Sequence, residues 1–138
     1  MKIVRAITSG MLVWALILSV FTVTSFISAI TQTAMLQWLV VGAFIVPFAW
    51  TGAAIYYRKK AVANVHGLFS GSIMLTTALV LDALITVPFI EIPYNGSSYA
   101  AFFGNPMLWV LVAENIAVIY LYWRTQIASN QKSIIKIK

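Results

Sequence analysis

Apolar residues fall into four long runs, approximately Ile7 to Ile30, Met35 to Tyr57, Gly67 to Ile90 and Pro106 to Trp123, divided by short stretches that hold most of the charge. Each run is near the roughly 20 residues that a helix needs to cross a bilayer. None of them contains a lysine or arginine. The pattern predicts an all-α fold, a four-transmembrane-helix bundle forming one integral membrane domain over residues 1–138, with 124–138 as a basic cytoplasmic tail. The fourth run is the shortest, and at about 1.5 Å per residue it only just covers the hydrocarbon core. A start nearer Ala100 would lengthen it.

Composition moves this reading from a buried core to a membrane. The chain is 62% hydrophobic and 9% charged, with a mean hydropathy of +0.93, whereas soluble domains carry roughly 25% charged residues. Lys2 and Arg5 ahead of the first run, with Ser28 and Ala29 near its end, also suit a signal peptide. The run is much longer than the hydrophobic region of such a peptide, so it is expected to remain as the first transmembrane helix.

The charges then predict topology. Lys2 and Arg5 precede the first run, Arg58, Lys59 and Lys60 lie between the second and third, and Arg124, Lys132, Lys136 and Lys138 follow the fourth, which accounts for all 9 basic residues. The other two connections hold none, so both termini and the middle loop are expected in the cytoplasm. The net charge of +6 then forms a rim facing anionic lipid headgroups, with Arg58, Lys59, Lys60 and Arg124 as the contacts. Nucleic-acid binding is not expected, because these residues flank membrane spans and form no separate basic domain. Tyr56, Tyr57, Tyr122 and Trp123 fall at the inner helix ends, and Trp38, Tyr94, Tyr99 and Trp109 near the outer ends, as an interfacial aromatic belt would.

Little here suggests catalysis. Without cysteine there is no thiolate ligand or nucleophile. His66 is the only histidine and reads as a solvated interfacial residue. No phosphate-cradling glycine loop is present. No enzyme activity, cofactor or metal is expected.

The 3 acids carry the remaining information. Glu91 ends the third run and can reach water, whereas Asp82 and Glu114 lie inside spans, where an ionisable side chain is costly and usually faces the bundle interior. Both sit about 12 Å below the outer end at the α-helical rise, and their helices run antiparallel, so the two carboxylates are expected to meet. On the third helix Gly71, Leu75, Ala78, Asp82 and Thr86 share one face, whose small residues admit a neighbour closely. Ser19, Thr22, Ser25 and Ser28 form a hydroxyl stripe on the first helix. Pro47 frees the carbonyl of Ala43, Gly42 leaves space near it, and Pro88 is placed to end the third helix. With no cation inside the membrane, two carboxylates repel, so at least one is expected to carry a proton. The predicted site is thus a shared proton or a bound cation at Asp82 and Glu114, with Thr22, Ser25, Thr86 and Asn115 as further oxygen ligands.

Two functions stay open. The acids can be protonated interhelical hydrogen-bond partners in a structural or accessory membrane protein, tying the third and fourth helices together. Alternatively, they can couple a proton or cation to solute movement in a small transporter, which with only four helices would be expected to act as a homodimer. The small multidrug-resistance transporters are a poor match, since their key acid lies in the first helix, which here has none. The segments LDALITVPF, YAAFFGNPMLWVLVAENIAVIYLYW and MKIVRAITSGMLVWAL resemble a family of small bacterial four-helix membrane proteins known only as a domain of unknown function. The resemblance spans essentially the whole chain, with Asp82, Pro88, Trp109 and Glu114 in its most recognisable segments. It implies a multi-pass protein of the bacterial cytoplasmic membrane and supplies no activity. Asn95-Gly96-Ser97 reads as a turn, and the tail either lies on the inner leaflet or is disordered.

Overall fold

The computed structural model describes residues 2–27, 33–59, 62 and 64–129. Helix α1 spans Lys2–Ser25 and α2 spans Ala34–Tyr57. Helix α3, Gly67–Leu81, runs directly into a π-helical stretch, Asp82–Glu91, and then into the single turn α4, Ile92–Asn95. A short helix α5, Tyr99–Phe103, precedes α6, Pro106–Tyr122, which continues as a second π-helical stretch, Trp123–Ala128. Four continuous helical segments are long and apolar enough to cross a membrane: Lys2–Ser25, Met35–Tyr57, Gly67–Asn95 and Pro106–Ala128. The described residues contain no strand.

The spans differ from the hydropathy runs at their ends. The first begins and ends earlier, because Lys2 and Arg5 are helical while Phe26 and Ile27 turn away. The third continues past Pro88, and the fourth takes in Arg124, so the start of the expected tail is helix. Lys60, Ser28 and residues 130–138 lie outside the described residues.

Helix α1 packs against α2 and α3, and α6 packs against the same two helices. Consecutive helices α2 and α3 therefore lie on one diagonal of the bundle, and α1 and α6 on the other. Close approach comes from small residues: a Cβ on Gly10 would lie 2.7 Å from the carbonyl oxygen of Met74, so α1 and α3 touch backbone to backbone. Gly71 of α3 receives the side chain of Ile119 from α6. Ala6, Ala49, Ala53 and Ser70 are buried, while Leu39, Leu84, Phe89 and Val110 are more than half exposed. Small residues at these contacts let the helices approach closely, as membrane helices require when lipid offers no hydrophobic drive for association, with Tyr56, Val87 and Ile119 filling the interior beside them.

The connection between the third and fourth spans is made by turn chemistry. Gly96 adopts φ 62°, the left-handed conformation that ends α4, and the Ser97 amide donates to the Glu91 carbonyl at 3.1 Å, closing the end of the helix. Ser98 then caps α5, and Asn105 caps α6 ahead of Pro106, which needs no amide partner at the first helical position. This end, named here the hairpin end, carries Glu91 and the α5 helix.

The opposite, basic end is closed by local partners. Arg5 donates to the carbonyls of Tyr56 (3.0 Å) and Ile55 (2.6 Å), neutralising acceptors that the end of α2 leaves open. The Tyr57 hydroxyl lies 2.7 Å from the Ser70 hydroxyl and 3.0 Å from the Val65 carbonyl. His66 caps α3 by accepting from the Leu68 amide at 3.3 Å, and its ring lies 4.2 Å from that of Trp123. Its exposed position agrees with an interfacial histidine and adds this capping role.

Candidate functional site

The π-helical stretch shapes the site. Pro88 lacks an amide hydrogen, and in a regular α-helix its ring would press on the carbonyl of Leu84. The wider i→i+5 register relieves that contact, and the Ile92 amide bonds in this register to the Val87 carbonyl. Within it, Pro88 would have served Ala83, whose carbonyl instead accepts the Tyr99 hydroxyl at 2.9 Å. Pro88 therefore widens the helix rather than ending it. The change of register also moves side chains: in a 3.6-residue helix the ninth residue after Asp82 lies about half a turn from it. The slower turn of a π-helix brings that residue, Glu91, back to the face of Asp82.

Asp82 is half-buried, and one of its oxygens receives two hydrogen bonds. The Trp14 indole donates to Oδ1 at 2.9 Å from α1, and the Thr86 hydroxyl donates to the same atom at 2.7 Å from the next turn. Among the described residues Oδ2 has no such donor. Asp82 lines a half-open cavity of about 100 Å³ whose walls also include Thr86, Glu91, Asn115, Trp14 and Phe102. By the usual requirement of at least about 10–15 Å³ per water, this space has room for several water molecules. Glu91 is 9% exposed, and its Oε1 accepts from the Asn95 side chain at 3.1 Å. Asn115, also 9% exposed, makes no hydrogen bond to the described residues through its amide group. Among the described residues no basic side chain lines the cavity. Among the described residues no three histidine, cysteine or acidic side chains converge as a metal cluster would.

Glu114 lies elsewhere. It borders a second cavity, about 200 Å³, between α2 and α6, with Trp38, Leu39, Gly42, Ala43 and Val110. A Cβ on Gly42 would meet its Oε2 at 3.4 Å, so the space left by Gly42 is filled by this carboxyl group. The expected Asp82–Glu114 pair is therefore replaced by Asp82 with Trp14, and the tie runs from the third span to the first rather than to the fourth. Equal depth does not by itself make a contact, because azimuth decides it: neighbours on an α-helix point about 100° apart, and on α6 the interior position belongs to Asn115.

The remaining candidates divide. Thr86 and Asn115 join Asp82 at the cavity, and Leu75 and Ala78 share its wall, as the predicted face of the third helix requires. Thr22 and Ser25 do not: both are exposed, and each donates to a carbonyl four residues back, Leu18 and Phe21. A hydroxyl can satisfy itself in this way on a lipid-facing surface, so a stripe of them does not mark an interior. Ser25 also accepts from Gln37 at 3.0 Å, a tie between α1 and α2. Arg58, Lys59 and Arg124 are exposed at the basic end.

Trp14, Glu91 and Phe102 were not suggested as site residues by the sequence. Trp14 carried one usable signal, since an indole N–H in mid-membrane needs an acceptor and few exist there. Glu91 was passed over because it ends the third run, where it can reach water, and Phe102 because it lies in a connection.

These features define a multi-pass membrane protein, a four-helix bundle with an acid-bearing cavity in one half. The family of unknown function DUF5367 matches residues 27–125, and the chain belongs to it. The match takes in Asp82, Thr86, Glu91, Glu114 and Asn115, while Trp14 lies ahead of it. No curated protein and no solved structure matches the chain.

Proposed function

We propose that this protein is a non-enzymatic membrane protein in which Asp82 exchanges a proton or a cation with the hairpin side while tying α3 to α1. The observation that carries this reading is the division of labour on one carboxyl group. Oδ1 accepts from Trp14 and Thr86, Oδ2 takes no hydrogen bond from the described residues, and Asp82 lines a cavity with Glu91 and Asn115. Two donors on one oxygen suit both the ionised and the protonated group, so the tie survives a change of occupancy at the other. In this reading the basic end is cytoplasmic, with Arg58, Lys59 and Arg124 on anionic headgroups of a bacterial cytoplasmic membrane. The cavity then opens outward, and the packed layer of Tyr57, Ser70 and Met74 closes the inward path. Transport in this frame needs a second state in which that layer parts, with a homodimer as one way to build it.

The test compares two substitutions in lipid nanodiscs. Asp82→Asn keeps an acceptor for Trp14 and Thr86 and is expected to retain stability while losing a pH-responsive carboxyl band in the infrared. Asp82→Leu strands both donors and is expected to lower stability by about 1–2 kcal/mol, the range for interhelical hydrogen bonds in membranes. An unchanged carboxyl band in Asp82→Asn would refute the reading.

A further inference from the structure

The cavity walls also specify what kind of cation suits them. Most wall residues are aliphatic or aromatic, with Trp14, Phe21, Trp38 and Phe102 supplying four rings, and the rings of Phe21 and Trp38 have centroids 6.4 Å apart at 56°. Against them stand two carboxyl groups, Asp82 and Glu91, and, among the described residues, no basic side chain. A hard metal ion keeps its free energy only if oxygens replace its hydration shell, commonly six or more of them. Here Asp82, Glu91, Thr86 and Asn115 are the only polar side chains apart from the two indoles, and one oxygen each of Asp82 and Glu91 is already engaged. An alkylammonium ion has the opposite needs. Its charge is spread over methyl or methylene groups that pack on apolar walls and ring faces, and it needs only a carboxylate nearby. At about 100 Å³ the cavity has two thirds of the volume of an engineered apolar cavity of about 150 Å³ that takes up benzene. Because it is half open, a small cation need not fit wholly inside.

We propose that the Asp82 cavity binds a small organic ammonium ion, held by Asp82 and Glu91 and walled by Trp14, Trp38 and Phe102. This rests on the reading of Asp82 as an exchanging carboxyl group and adds the chemical class of its ligand. Phe102 sits on α5, directly after the turn at Gly96 and Ser98, so one wall of the cavity is carried by a short helix rather than by a transmembrane span.

The experiment titrates the full-length protein in nanodiscs with tetramethylammonium chloride, following tryptophan fluorescence, with sodium chloride at matched ionic strength and neopentyl alcohol as the uncharged analogue. A saturable signal with tetramethylammonium is expected, with at least tenfold weaker responses to sodium and to the alcohol. Asp82→Asn and Glu91→Gln should each weaken it about tenfold, and Phe102→Leu by a few fold, with circular dichroism unchanged. Equal response to sodium, equal response to the alcohol, or full affinity in both acid variants would overturn the proposal. The infrared carboxyl band separates the two levels: if it responds to pH while tetramethylammonium does not bind, the ligand class fails and the exchanging carboxyl stands. If it responds to neither, both fail.

Discussion

At the basic end the polar groups are used up by near neighbours: Arg5 by the last carbonyls of α2, Tyr57 by Ser70 and Val65, His66 by the start of α3. In the hairpin half, Asp82, Glu91 and Asn115 line a cavity, and the backbone beside them departs from the α-helix. The same four spans build both halves, and the contrast lies in where Pro88 and the glycines fall. Gly10 lets α1 meet the backbone of α3 in the closed half, while from Asp82 onward the third span is π-helical beside the cavity.

Three substitutions bear on that contrast. The largest rearrangement is expected from Pro88→Ala, which restores an amide donor and with it the α register, turning Glu91 away from Asp82 by about half a turn. Because the chain has no cysteine, Glu91→Cys gives a clean thiol, whose labelling by a water-soluble maleimide should change several-fold when Pro88→Ala is added. An unchanged rate would mean that Pro88 does not set the register. Next comes Gly10→Leu, which would force α1 from the Met74 carbonyl and is expected to cost about 3 kcal/mol, at the upper end for overpacking. Unfolding in mixed detergent measures it, and a cost below that of an exposed substitution would show that the closed half is not held by this contact. The smallest effect is expected from Arg5→Gln, about 0.5–1 kcal/mol for a lost charge at a helix C-terminus. Its loss should fall as salt rises; an effect independent of salt would point to packing of the side chain instead.

The acids show how the sequence can place a side chain inward and still misassign its partner. Asp82 was placed inward on a face with Leu75, Ala78 and Thr86, and all four line the cavity. That inference needs only the helical period within one segment. Its partner was assigned to Glu114 from equal depth, but a contact between helices depends on rotation about both axes, which hydropathy does not encode. Glu91 was set aside because it ends the third run, where it could reach water; in an α-helix the ninth residue after Asp82 would also have pointed the opposite way. The register that reverses this is produced by one proline in context, and prolines in membrane helices more often kink or end them.

The sequence by itself determined the number of spans, the clustering of basic residues at one end, and the presence of ionisable side chains inside the membrane. Each follows from the cost of placing charge and unpaired backbone in hydrocarbon, which acts on every segment separately. Tertiary structure alone decided that α1 supplies the donor to Asp82, that Glu114 belongs to another groove against Gly42, and that Glu91 turns inward. Those outcomes depend on helix order around the bundle, rotation and local register. Such features arise only when four helices compete for the same interior.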